Sequence, residues 1–382
     1  MTDWKEYKLG EIASEIGDGL HGTPNYSENG DYYFINGNNI SDGRVTIKSD
    51  TKKVDEKEFE KYKKPLSSRT ILMSINGTIG NVGFYNNEKC VLGKSACYLN
   101  IKNGIDKYFI YYTFLTEDFQ SHLLNIATGT TIQNVPLKGL RDSIILLPPL
   151  DEQRRIAAIL SSFDDKIDLL HRENATLEQM AETLFRQWFV VETKEEWEEK
   201  PLSSIATFLN GLACQKYPPK NGIDKLPVLK IRELSSGIGN DSDWATTEVG
   251  EEYIVHAGDV IFAWSASLMV KIWDGEDCIL NQHLFKVASD KYPKWFYYFW
   301  CKHHLNEFIS IAQSHATTMG HIKRGDLDTA MVLVPSDEEL LSMTAQMEGL
   351  LKKMENNNEQ INTLIQTRDG LLPRLMGEEI KV

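Results

Sequence analysis

The chain has 382 residues, of which 41% are hydrophobic, 25% charged and 10% aromatic, enough for two or three globular cores and unlike a disordered or fibrous chain. No apolar run approaches the length of a membrane span, and the start Met1-Thr2-Asp3-Trp4-Lys5-Glu6 carries acid where a secretory signal has a basic cluster followed by an apolar stretch, so a cytoplasmic location is expected. The net charge of −14 argues against a chain that wraps nucleic acid by bulk electrostatics, although residues 1–150 come within one charge of neutrality. Five cysteines (Cys90, Cys97, Cys214, Cys278, Cys301) form no Cys-x-x-Cys pair and read as reduced, mostly buried thiols rather than a disulfide framework or a zinc site.

Taken from its start, the chain repeats itself. Trp4, Leu9, Ile12, Ala13 and Ile16 match Trp197, Leu202, Ile205, Ala206 and Leu209 at an offset of 193. The offset then drifts: Ile71-Leu72-Met73 match Val260-Ile261-Phe262 at 189, Leu92 matches Leu280 at 188, and Phe109, Thr130, Thr131, Leu140 and Pro148 match Phe296, Thr317, Thr318, Leu327 and Pro335 at 187. Surface insertions and deletions explain such drift, and chance similarity does not preserve the order of elements through a whole half.

Each half begins with about 140 residues of short strand-like runs (Tyr33-Phe34-Ile35, Arg44-Val45-Thr46-Ile47, 70–75) between turn signals, the pattern of an α+β domain. An aromatic helix follows (108–126 and 295–311), then a Thr-rich polar loop, then an apolar strand ending at Pro148-Pro149 or Pro335. The run Trp295-Phe296-Tyr297-Tyr298-Phe299-Trp300 reads as helix core rather than a base-stacking surface. Gly77-Thr78-Ile79-Gly80-Asn81-Val82-Gly83 lacks the spacing of a phosphate-binding loop and reads as tight turns between strands.

After each proline, acids open a long amphipathic helix. Its apolar seam steps by four and three through Ile156, Leu160, Phe163, Ile167, Leu170, Asn174, Leu177, Ala181, Leu184 and Trp188. Adding 187 gives Met343, Met347, Leu350, Met354, Asn357, Ile361, Leu364, Arg368, Leu371 and Leu375. Two equal stripes separated by a domain are satisfied most simply as an antiparallel coiled coil, with Asn174 and Asn357 fixing register and the two domains at its opposite ends. Pro373 is expected to end or kink the second helix. The domains are then 1–150 and 192–335, and the helical segments 151–191 and 336–382.

No nucleotide fingerprint, amino-methyltransferase Asn/Asp-Pro-Pro-Tyr/Phe run, nuclease-like cluster or metal-ligand spacing is present; His303 with His304 and His315 with His321 lack accompanying ligands. The chain reads as non-catalytic.

The run Leu147-Pro148-Pro149-Leu150-Asp151-Glu152-Gln153-Arg154-Arg155-Ile156-Ala157-Ala158-Ile159-Leu160, the seam after it and the exit Phe185-Arg186-Gln187-Trp188-Phe189 resemble the central region of specificity subunits of type I restriction-modification systems. Asp18-Gly19-Leu20-His21-Gly22-Thr23-Pro24-Asn25-Tyr26, the run 35–43 and Ser74-Ile75-Asn76-Gly77-Thr78-Ile79-Gly80 resemble that family's target recognition domains. The second domain departs from the pattern at Asn210-Gly211-Leu212-Ala213 and Trp264-Ser265-Ala266-Ser267, as expected if the two domains read different sequences, and the distal helix is less typical, with Asn356-Asn357-Asn358 and Arg368 interrupting its seam.

The resemblance implies two recognition domains on two helical spacers, reading a bipartite double-stranded DNA target. It also implies two modification subunits that bind S-adenosylmethionine and methylate adenine N6, joined by restriction subunits using ATP and magnesium where the system has them; no cofactor is expected on this chain. A stand-alone DNA-binding regulator and a coiled-coil scaffold without nucleic acid are the competing readings. Base edges are read by polar side chains, so the DNA-facing candidates are loop residues at matching places. They are His21, Thr23, Asn25, Tyr26, Asn76, Thr78, Thr130, Thr131, Gln133, Asn134 and Lys138, then Gln215, Lys216, Tyr217, Lys220, Ser265, Ser267, His315, Thr317, Thr318, His321, Lys323 and Arg324. The lysines at 52–64 alternate with acids and read mainly as a solvated helix face.

Overall fold

The computed structural model describes residues 4–239, 241–314, 320–377 and 379–380. The chain forms two compact units, residues 1–168 with 362–382 and residues 169–361, so both long helices contribute to both units.

In the first unit, the strand Lys5–Lys8 pairs antiparallel with Ile144–Leu147, bringing the start of the chain beside the strand that precedes Pro148. A four-stranded antiparallel sheet has the order Ala13–Asp18, Ala96–Ile101, Thr70–Ser74, Val82–Phe84. Its central strands are buried on both faces, and alternate residues serve different cores. Ile71, Met73, Cys97 and Leu99 join the helices, whereas Leu72, Ala96 and Tyr98 face a smaller sheet. In that sheet Tyr32–Ile35 runs parallel to Cys90–Leu92 and antiparallel to Lys53–Val54.

The second unit repeats this plan. Glu198–Pro201 pairs with Met331–Val334, and the larger sheet has the order Thr207–Asn210, Leu284–Ala288, Val260–Ala263, Met269–Ile272. The other sheet also has four strands here, against three in the first unit, and in it Lys225–Leu229 runs parallel to Cys278–Leu280. The matched residues also do matched work. The Trp4 indole donates to Glu152 Oε1 at 3.3 Å and the Trp197 indole to Glu339 Oε2 at 3.0 Å, each tying a domain's first strand to the opening turn of a long helix. The Lys194 ammonium, reinforced by Ser336, holds the Glu339 carboxyl at about 2.

Each expected aromatic helix is two helices, Lys107–Leu115 with Glu117–Ile126 and Lys294–His303 with Leu305–Ser314. Thr116 is extended and its hydroxyl caps the following helix by accepting from the Phe119 N–H, so an N-cap interrupts a continuous apolar pattern. At the second break, the His304 ring bonds the Met331 carbonyl and Glu307. The aromatic run 295–300 is buried throughout, and all five cysteines are free and buried.

The long helices span Leu150–Arg186, about 55 Å, and Asp337–Met376, about 60 Å, and they pack together. The first passes into a π-helical turn at Gln187–Val191. The second does not end at Pro373: it continues to Met376, because a proline this close to the C-terminus removes only one bond of the last turn, and Gly377 N–H still reaches the Pro373 carbonyl at 2.8 Å. In the first unit Ile156 and Leu160 share a core with Leu371 and Leu375, while Asp164 accepts from Arg368 Nη1 at 2.6 Å and from the Tyr112 hydroxyl at 2.5 Å. The helices are therefore antiparallel, and the seam Arg368 is paired rather than a defect. In the second unit Ala181 and Phe185 share a core with Met343 and Met347, and Glu178 accepts from Tyr298 and Lys302. Burial opposes that charge, but the two donors outweigh it and hold the Glu178 carboxyl below its usual range. Every described seam position is buried or half-buried, Phe163, Ile167, Leu170, Leu177, Leu184, Leu350, Met354, Ile361 and Leu364 included.

Asn357 is wholly buried. Its amide donates to Asn174 Oδ1 at 2.9 Å and Glu173 at 3.1 Å, and Asn174 donates to Asn358 at 2.6 Å, yet Asn357 Oδ1 has no hydrogen-bond partner among the described residues. An orphaned buried oxygen costs free energy and favours only the register that pairs the rest of the ladder. Replacing Asn174 and Asn357 together by leucine is expected to raise stability by on the order of 1 kcal/mol in denaturant unfolding. A loss of stability would show that the ladder stabilises the pair outright.

Candidate nucleic-acid interface

The three runs of the first half that resemble recognition-domain motifs meet at one point. Ser95, between the strands Cys90–Leu92 and Ala96–Ile101, accepts from the Gly37 N–H through Oγ at 2.8 Å, donates to Asn36 Oδ1 at 3.1 Å, and accepts from the Ile75 N–H through its carbonyl at 3.0 Å. Beside it the Leu20 N–H donates to the Leu92 carbonyl at 2.7 Å. Gly19 is required here, because a Cβ would lie 2.2 Å from the Leu92 carbonyl oxygen.

On this base the two predicted loops close on each other. Gly77 N–H donates to the Gln133 carbonyl at 3.1 Å, Val135 N–H to the Ile75 carbonyl at 2.8 Å, and the Asn76 amide to Asn134 Oδ1 at 3.2 Å. Reciprocal 2.8 Å bonds between Thr128 and Asn134 cinch the loop between them, leaving Thr130, Thr131, Ile132 and Gln133 exposed. Thr78, Lys94 and Lys138 are also exposed.

The second unit builds the same junction from other side chains. Trp264 N–H donates to the His283 carbonyl at 3.3 Å, Ala266 N–H to the Gly320 carbonyl at 2.9 Å, and Ile322 N–H to the Trp264 carbonyl at 3.1 Å. Ser265 bridges to His321 as Asn76 bridges to Asn134. The Ser265 hydroxyl also bonds His283 Nδ1 at 3.1 Å, and the Trp264 indole donates to Asn210 at 3.1 Å. Gly211 makes the same close approach as Gly19, with a Cβ 2.3 Å from the Asn281 carbonyl oxygen. At the tip, Gly77 has φ +78° and Ala266 φ +56°. An L-residue in that region costs on the order of 1 kcal/mol relative to glycine.

The remaining candidates divide. His21 is exposed, with Nε2 2.5 Å from Asp18; Ser267, Lys323, Gln215 and Lys216 are exposed as well. Asn25 is committed to its own fold, since its amide and backbone N–H both donate to the buried Glu58. Thr23 and Tyr26 are exposed, Tyr26 at the edge of the small sheet against Phe34 and Tyr217 beside the strand Trp244–Thr246. Lys220 is paired with Glu248. Arg324 donates to the Phe208 carbonyl at 3.3 Å and lies over the Phe285 ring, so it also braces its own sheet. His315, Thr317 and Thr318 lie outside the described residues. The strand residue Lys53 lies over the Tyr33 ring, while Lys57 and Lys61 face solvent on the short helix Glu56–Tyr62. Sequence reasoning missed Asn36, Lys94 and Ser95 in the first unit, and in the second Gln282 and His283, which match Lys94 and Ser95, together with Asn210 and Trp264. The signal was the offset of 188 that carries Ser95 to His283, in a stretch where the side chains themselves share nothing.

Among the described residues no group of three or more His, Cys, Asp or Glu side chains could hold a metal, and no helix is long and apolar enough to cross a membrane. The Type I restriction modification DNA specificity domain matches the chain twice, over residues 1–179 and 194–367. The chain belongs to this family. As a specificity subunit it is 26% identical over 342 residues to the type I restriction enzyme MjaIX specificity subunit of Methanocaldococcus jannaschii, covering 82% of this chain and 78% of that one. It is 24% identical to the MjaVIII specificity subunit of the same organism, covering 100% and 93% of the two chains. The crystal structure of a type I restriction-modification S subunit from M. genitalium shares the fold, with a TM-score of 0.54 and 16% identity over 98% of this chain and 96% of that one. The protein is thus the DNA target recognition subunit of a type I restriction-modification system, non-catalytic itself, and the system's cofactors reside on the modification and restriction subunits.

Proposed function

We propose that this subunit reads a bipartite double-stranded target, residues 1–150 recognising one half and 192–335 the other through the two loop junctions. The helical segments 151–191 and 336–382 seat two modification subunits that methylate adenine N6 with S-adenosylmethionine. ATP-dependent restriction subunits join where the system has them, and the assembly works in the cytoplasm. The observation that carries this reading is the junction itself: one backbone hydrogen-bond scheme, built twice, presents Asn76, Gln133 and Asn134 in one unit and Ser267 and His321 in the other, where Ser265 is buried against His283. A common frame with different hydrogen-bonding side chains suits two readers of different base sequences. The acidic net charge fits a subunit whose partners share the phosphate contacts.

Domain exchange tests it. Substituting another subunit's recognition domain for residues 1–150 is expected to change one half of the methylated motif and leave the other half intact. A change in both halves would contradict one reader per half-site.

A further inference from the structure

We propose that the Ala266 methyl group reads the C5-methyl of a thymine in the half-site bound by the second domain, making Ala266 a specificity-determining residue. The inference rests on the junction being the DNA-facing edge, and it begins from a backbone outlier. Three described non-glycine residues have positive φ: Asp42, Asn87 and Ala266. Asp42 sits with Gly43 in a two-residue hairpin turn, and Asp and Asn tolerate this region because their short polar side chains bond locally. Alanine has no such compensation.

Nor does the fold need the methyl. Ala266 is exposed at the tip between the strands Val260–Ala263 and Met269–Ile272, and its contribution to the junction is the backbone N–H that bonds Gly320. Glycine would keep that bond without the strain, and the first unit has glycine at this place. A Cβ added at Gly77 would meet no atom within 4 Å, so that tip faces open space. The strain at 266 therefore holds an exposed methyl rather than a core one, and strain of this kind collects where a side chain is needed for function.

The group can make only an apolar contact. On the edges of the bases the major groove offers one apolar group, the thymine methyl, which alanine is able to cover. Ser267 and His321, exposed beside it, present polar groups to neighbouring edges.

The test uses the chain assembled with its modification subunit and duplexes in which each thymine, on either strand of the half-site assigned to residues 192–335 by domain exchange, is replaced in turn by deoxyuridine. At one position the wild-type complex is expected to bind the thymine duplex about fourfold more tightly than the uracil duplex, the effect of burying one methyl. Ala266→Gly is expected to abolish that difference while unfolding at no lower temperature. A thymine preference that persists in Ala266→Gly, or the absence of any uracil penalty in that half-site, would overturn the proposal. Ser267→Ala combined with His321→Ala separates this from failure of the junction reading: wild-type affinity in that double variant would reject the junction itself.

Discussion

Asn76→Ala combined with Asn134→Ala is expected to weaken target binding by the assembled methyltransferase about 10- to 100-fold, with the loss confined to one half-site. Both side chains lie at the closure of the first junction, where they bond each other at 3.2 Å, and neither is in the core. Each base-edge contact is worth roughly 1–3 kcal/mol of discrimination, and removing the pair also frees the two loops. Neither residue is charged, so the slope of log affinity against log salt should not change. Lys323→Ala with Arg324→Ala should behave differently, lowering affinity across all sequences and flattening the slope by up to about two, less if Arg324 stays on Phe208 and Phe285. Equal slopes in the two double variants would remove Lys323 and Arg324 from the phosphate contacts. Undiminished affinity in the asparagine variant would remove the first junction from the interface.

Phe185→Ala is expected to destabilise the second unit by about 3–5 kcal/mol, seen as an earlier denaturant midpoint. Phe185 is 2% exposed, and its ring lies 5.0 Å from Phe189, 5.1 Å from Trp300 and 5.7 Å from Phe299. It joins the last turns of the first long helix to the aromatic helix Lys294–His303. The gap left by its truncation would be bounded by large rings already locked against one another, which cannot collapse into it. A shift below about 1 kcal/mol would mean that these rings repack freely. The exposed Leu124→Ala serves as the control, with little expected change.

What was legible in the sequence was whatever local chemistry dictates. The repeat carries Leu9, Ile12 and Ala13 onto Leu202, Ile205 and Ala206, and all six are buried at matching places. The helix seam was readable because a heptad pattern has one geometric solution. Arg368 was legible only as an interruption: its partner Asp164 lies 204 residues away, and no local pattern connects them. The break at Thr116 was hidden because an N-cap threonine inside an apolar stretch looks like any other helical threonine. Ser95 escaped for a different reason. It matters through its position at the end of a parallel strand pair, Tyr32–Ile35 with Cys90–Leu92, which draws together loops separated by more than fifty residues. Parallel pairing leaves no hairpin signal in the sequence. Trp264 read only as part of a departure from the family pattern, although its indole bonds Asn210 at the mouth of the second junction.

The most direct measurement is single-molecule mapping of modified adenines in a host without other adenine methylation, expressing the system's modification subunit with and without this chain. The account predicts N6-methyladenine only when the chain is present, at one motif made of two specified parts separated by a fixed number of unspecified base pairs. Methylation independent of the chain, or confined to a single uninterrupted motif, would contradict it.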